Sequence, residues 1–212
     1  MNNKISIKSP KLSSQLIPSD FQKLEDESYY TGVTFKDCTL TDVSFEKVCF
    51  KNVSFVNVVF KNCVFHQAEL IDVVFDNCDI SNTEMIESII HRAHFSNTKL
   101  FGTNFAESSV IDALFSACFA NYCSFSYSHL KQVSFEDTSL IESDFFGLKW
   151  KNLYFIRCDL NGMNLMQSNL NLLDLSSSTF EKINVSIDLI KGITLNAIQA
   201  LVIASALGIN IK

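Results

Sequence analysis

Four histidines, seven cysteines and a few close carboxylate pairs are the residues of this 212-residue chain best equipped for chemistry. His91 and His94 are near enough to share a metal ion, but no cysteine or carboxylate stands at ligand spacing with them. A zinc site needs three or four such ligands in concert. With His66 and His129 isolated, all four imidazoles are expected to be solvated surface groups, and no metal or other cofactor is expected. Glu136 with Asp137, and Glu142 with Asp144, have the proximity of acid–base pairs. General acid–base work also needs a cleft that excludes water and moves a pKa. These pairs fall on outward positions of a convex surface, and no Gly-rich phosphate loop is present. The side chains therefore argue against an enzyme and towards a surface that binds.

The cysteines lead to the element that positions everything else. Cys38, Cys63, Cys78, Cys118, Cys123 and Cys158 each precede by two positions a member of an apolar series, large in every case except Ala120 after Cys118. Those large residues recur every five from Phe35 to Val185 without one slip, at 31 positions of which 15 are Phe and 9 Leu. Period five suits neither an α-helix, where five steps rotate the side chain by about 140°, nor a flat strand, where an odd step changes face. The series stays inside only if the backbone turns a corner in every pentad. Four corners close a square coil, and stacked coils form a parallel β-solenoid. Asn, Asp or Gly is frequent two residues after each large residue, as a tight left-handed corner requires.

The chain resembles the pentapeptide-repeat proteins, whose unit is small, polar, Leu or Phe, then two variable residues; CDLNGMNLMQSNL from Cys158 to Leu170 is closest to that text. The resemblance covers about three quarters of the chain, from Phe35 to Val185. It implies an all-β solenoid, a right-handed quadrilateral β-helix. Twenty-residue spacing sorts the pentads into four walls, led by Phe35, Leu40, Phe45 and Phe50, with phenyl columns expected on the first and third. Eight coils at about 4.8 Å each would give a rod of roughly 38 Å with a filled interior. The six inward cysteines are then small buried groups, and Cys49 is expected to be partly exposed. An odd cysteine count without CxxC, and no leading signal segment or long apolar run, point to a reducing cytoplasm.

The solenoid is expected over residues 29–190, between a cap or tail over 1–28 and a terminal helix with a short strand over 191–212. Ser19, Asp20, Phe21 and Gln22 have capping-box spacing, so a short helix from Asp20 is expected to cover the first coil. At the far end Ile198, Leu201, Val202 and Leu207 recur at helical spacing, with Thr194 or Asn196 as cap and Gly208 as stop. Ile209 and Ile211 then alternate like a last strand. A cap needs one apolar face and this helix is apolar nearly all round, so those four residues are expected to join a homodimer.

Charge points to the partner. Residues 69–144 carry twelve acids and three bases, a net −9. Over nearly four coils this is about one negative charge per 2 Å of rod, beside about 1.7 Å for duplex DNA. The third wall holds Glu46, Glu84, Glu87, Glu107 and Asp144 against Lys47 alone, while the fourth is mildly basic. Size, terminal helix and phenylalanine-rich centre are most similar to the loop-free Qnr-type quinolone-resistance proteins of Gram-positive bacteria. That resemblance implies a DNA mimic that binds DNA gyrase and topoisomerase IV and protects them from quinolones, with no direct contact to nucleic acid or membrane. Glu84, Glu87, Glu107, Asp144, Asp76, Asp112 and Asp137 are the expected contacts. No insertion interrupts the pentads, so wall residues must do this work. Phe101, Phe119, Tyr122 and Ile141 form an outward apolar patch and suggest the alternative, a scaffold for another protein partner. An immunity protein against a gyrase-poisoning toxin is a third reading.

Overall fold

The computed structural model describes residues 6–21 and 24–210. Every fifth residue from Glu27 to Leu172 has a positive φ, between 50° and 75°, so each pentad turns one left-handed corner. The corners stack. Asn57 donates to Asp37 at 2.7 Å, Asn77 to Asn57 at 2.7 Å and Asn62 to Asp42 at 2.8 Å, which is why short amides and carboxylates suit these sites.

Between corners the chain pairs with itself twenty residues on. A parallel sheet is built from β2 (Tyr29–Lys36), β4 (Cys49–Val56), β6 (Glu69–Asp76), β7 (Ile89–Ser96), β8 (Ser109–Ser116), β9 (His129–Glu136) and β10 (Lys149–Ile156). A two-residue strand β1 (Ile17–Pro18) joins its first edge, and β3 (Thr39–Glu46) pairs with β5 (Val59–His66) on the opposite side. The later coils of that side are joined by single bridges, such as Glu84 to Asn104 and Asn104 to Ser124. Paired strands make the coils about seven rather than the eight counted on pentads.

The interior is a double column of rings. Phe35, Phe55, Phe75, Phe95, Phe115, Phe135 and Phe155 stack with centroids 4.5–5.3 Å apart. Opposite, Phe105 stacks on Phe125 at 5.0 Å and Phe145 lies tilted at 5.0 Å from Phe125, and all three meet the first column edge-on, the arrangement aromatic quadrupoles favour. Small inward residues have a second task. Their thiol or hydroxyl reaches the carbonyl of the large residue 23 positions earlier, as from Thr103 to Ile80 at 2.8 Å, Ser128 to Phe105 at 2.8 Å and Cys118 to Phe95 at 3.3 Å. All seven cysteines are free, and burial pushes the Cys118 thiol up to about 12, far from the reactive thiolate. Thr83 Oγ1 and Ser88 Oγ are buried without a partner among the described residues. An unpaired buried hydroxyl costs about 1 kcal/mol or more. Thr83→Val is therefore expected to raise the melting temperature by about 2–4 °C in calorimetry, and a lowered one would mean that the hydroxyl is bonded.

Both ends differ from expectation in detail. No helix starts at Asp20 among the described residues, and Gln22 of the expected capping box lies outside them. The ring of Phe21 instead lies flat on Phe35, at 4.2 Å and 1°, closing the first coil with Leu24. At the other end α1 (Ala197–Ala206) is capped by Asn196, whose side chain accepts from the Gln199 N–H, while the Gln199 side chain accepts from the Asn196 N–H. Gln199 is buried and its amide donates to the carbonyls of Leu175 and Ser178, each at 2.8 Å, satisfying the open edge of the last coil. Gly208, at φ 77°, stops the helix. Ile209 and Asn210 form no strand, and Ile211 lies outside the described residues.

Candidate partner-binding surface

The seven acids expected to contact a partner fall on three sides of the rod. Glu84 and Asp144 stand in one bridged column of the third wall, with Asn104 and Ser124 between them. Glu87 and Glu107 occupy the adjacent corner in successive coils, each with its N–H bonded to the coil that follows. These four are therefore neighbours on one side, and Glu84, Glu87 and Glu107 are exposed. Asp144 is half-buried and held by Ser126 Oγ at 2.7 Å and Asn164 Nδ2 at 2.9 Å. Among the described residues no Lys or Arg pairs with them; the His66 ring lies 3.6 Å from Glu84, and Gln67 donates to Glu87 at 2.9 Å.

The other three are placed differently. Asp76 is exposed at the end of β6, on the first wall. Asp137 sits at the corner beyond that wall, in a two-pronged pair with Arg157 at 2.7 and 2.6 Å. The guanidinium hydrogen bonds hold its carboxyl below the ordinary value. Asp112 is only 4% exposed, at the corner between the fourth and first walls, where it accepts from the backbone of Lys8 at 3.2 Å. Asp72 is at the same corner two coils earlier. Burial alone would raise its carboxyl, but two bonds from Arg92, at 2.5 and 2.6 Å, and one from the Lys11 N–H outweigh that and lower it. The net −9 of residues 69–144 thus overstates the free charge, because several of its acids are paired or covered.

The cover was missed in the sequence. Residues 6–18 run along the outside of the rod, across coils rather than within one. The signal was present in composition: residues 1–19 contain Lys4, Lys8 and Lys11 and no acid, on a chain of formal charge −6.

Two apolar surfaces are uncovered. Phe101, Phe119 and Tyr122 are exposed on the second wall and its corner, with Phe101 and Tyr122 in edge contact at 5.2 Å; Ile141 is half-buried. On α1, Val202 and Ile203 pack on the core, whereas Ile198, Leu201 and Leu207 are exposed, Ile198 at 73%. Of the four residues expected at a dimer contact, Val202 is thus turned inward. Among the described residues no group of three or more His, Cys, Asp or Glu could hold a metal, and no helix is long and apolar enough to cross a membrane.

The observed pentad geometry agrees with comparison to known families. Residues 88–165 match the family described as "Pentapeptide repeat region", and residues 54–97 and 68–106 match "Pentapeptide repeats (8 copies)". Together these matches span residues 54–165, more than half of the chain, and the chain belongs to the pentapeptide-repeat proteins. Among solved structures it is similar to QnrB1, a plasmid-mediated fluoroquinolone resistance protein: 20% identity, 93% of this chain and 99% of that one, TM-score 0.47. It is also similar to HetL, involved in heterocyst differentiation regulation in the cyanobacterium Nostoc, at 12% identity over 80% of this chain and 87% of that one, TM-score 0.47. No curated protein matches in sequence.

Proposed function

We propose that this protein is a cytoplasmic DNA mimic that binds a type II topoisomerase, DNA gyrase or topoisomerase IV, and so protects it from quinolones. The observation that carries the reading is the gathering of Glu84, Glu87, Glu107 and Asp144 on one side of a filled rod. A row of carboxylates on a rigid support attracts a surface built to bind a polyanion, and steers the encounter. The interior is packed with rings and offers no space for a substrate, so the protein acts by contact and not as an enzyme. Supercoiling by purified gyrase, with and without ciprofloxacin, tests this: added protein should inhibit supercoiling at low salt and relieve drug-stabilised cleavage. A protein without effect on either would not be a topoisomerase ligand.

The exposed Phe101, Phe119 and Tyr122 favour a second reading, a scaffold bound through an apolar contact with little dependence on salt. In both readings two rods join through α1. Ile198→Glu with Leu201→Glu should convert a dimer to a monomer in light scattering while leaving the β-sheet circular dichroism spectrum unchanged, because both side chains lie outside the core of the single chain. A dimer that survives both changes would place the contact elsewhere.

A further inference from the structure

The N-terminal segment is seated like a bound peptide. Its backbone N–H groups donate to one column of corner side chains: Lys8 to Asp112 at 3.2 Å, Lys11 to Asp72 at 2.9 Å and Ser13 to Asn52 at 2.7 Å. The Gln132 side chain donates to the Ser6 carbonyl at 2.8 Å, and β1 then pairs with β2 through Ile17 and Val33. From Gln132 to Asn52 is four coils, about 19 Å at the strand spacing, and the seven steps from Ser6 to Ser13 reach about 23 Å when extended. The segment is therefore nearly extended along the rod. Ile7, Pro10, Leu12 and Leu16 are half-buried, and the outward residues flanking the corner column include Ile71, Val74, Ile111 and Leu114, also half-buried. Lys8 Nζ lies 3.8 Å from Asp112, and no acid occurs before Asp20.

The coils pair with one another through ladders to which residues 6–16 contribute nothing. The segment is held by a few bonds at the surface and can open at far lower cost than the solenoid. Its anchors are backbone amides and carboxylates, a recognition that any extended chain of suitable charge can satisfy.

We propose that the corner column of Asn52, Asp72, Arg92, Asp112 and Gln132, in which Arg92 is paired with Asp72 and Asp112 faces the segment, is a docking groove for an extended, basic and acid-free peptide segment of a partner protein, and that residues 6–18 are its built-in occupant, which the partner must displace. Tethering gives the resident segment an effective concentration in the millimolar range, so a free peptide competes poorly until the resident is weakened. The proposal is independent of the topoisomerase reading, which concerns the third wall.

The probe is a fluorescein-labelled peptide of residues 6–18, titrated by anisotropy at low salt against the full-length protein. Leu12→Asp with Leu16→Asp weakens the resident by putting carboxylates in place of two half-buried apolar side chains and leaves the solenoid core untouched. This variant should bind the peptide at least tenfold more tightly than the parent. Adding Asp72→Asn and Asp112→Asn should remove that gain; asparagine suits a left-handed corner, and circular dichroism checks the fold. A peptide with both lysines changed to glutamate should not bind. In the parent protein, unlabelled peptide raised above the millimolar effective concentration of the resident should speed deuterium exchange at the amides of Lys8, Lys11 and Ser13. Equal binding by parent and resident-weakened protein, binding that survives loss of both carboxylates, or unchanged exchange at those amides would each overturn the proposal and leave the segment a permanent strap.

Discussion

Phe105→Asp should leave no folded protein. The ring is fully buried, stacked on Phe125 at 5.0 Å and edge-on to Phe95 and Phe115 at 6.3 and 6.5 Å. Removing a buried phenyl group costs about 3–5 kcal/mol. An ionised carboxylate in its place finds no partner among rings and adds several kcal/mol more. The sum approaches the whole stability of an ordinary domain, about 5–15 kcal/mol. A solenoid is still more exposed to this failure, because each coil is stabilised chiefly by its two neighbours. Expression with loss of the β-sheet circular dichroism signal, or insoluble protein, is the expected result; a soluble variant with the parent spectrum would refute the ring columns. Overpacking is the milder companion. Ala93 is fully buried, and Ala93→Phe should lower the melting temperature, since the surrounding column has no room to move.

Glu84→Gln, Glu87→Gln, Glu107→Gln and Asp144→Asn together should abolish inhibition of gyrase while leaving the fold intact. Three of the four are exposed, and an amide keeps the shape of each side chain. Asp144→Asn retains an oxygen for the Asn164 amide and turns a donor to Ser126 Oγ. Exposed ion pairs contribute about 0.2–1 kcal/mol each, so losing four weakens a complex by about 0.8–4 kcal/mol, roughly 4- to 700-fold. The variant should melt near the parent temperature. Neutralising Asp76 and Asp137 instead should have a smaller effect, because Asp137 is already paired with Arg157 and neither lies on the third wall.

The solenoid was legible in the sequence because its period is unlike that of any other element. A large residue every five positions fixes the corner, the coil and the inward face at once, and the corners from Glu27 to Leu172 follow that register. What escaped were contacts made across coils. The seat of residues 6–18 is held by backbone amides of Lys8, Lys11 and Ser13, and amides leave no side-chain pattern to find. Asp72 and Asp112 looked like surface charge for the same reason: their position in the pentad is outward, and the segment lying over them, with Arg92 on Asp72 and His91 beside Asp112, withdraws them from water. In α1 the apolar residues occupy nearly every face, so periodicity could not tell Val202, which packs on the core, from Ile198, which does not. Gln199 was unremarked because its role depends on reaching the carbonyls of Leu175 and Ser178, more than twenty residues earlier in the chain.

Competition between this protein and a DNA duplex for purified gyrase, followed as salt is raised, tests the central claim most directly. A polyanion mimic must displace the duplex at low salt and lose that ability steeply as charges are screened. The parent should compete, and the variant neutralised at Glu84, Glu87, Glu107 and Asp144 should not. A parent protein that never displaces the duplex at low salt, or a neutralised variant that displaces it as well as the parent, would contradict the acidic-wall account.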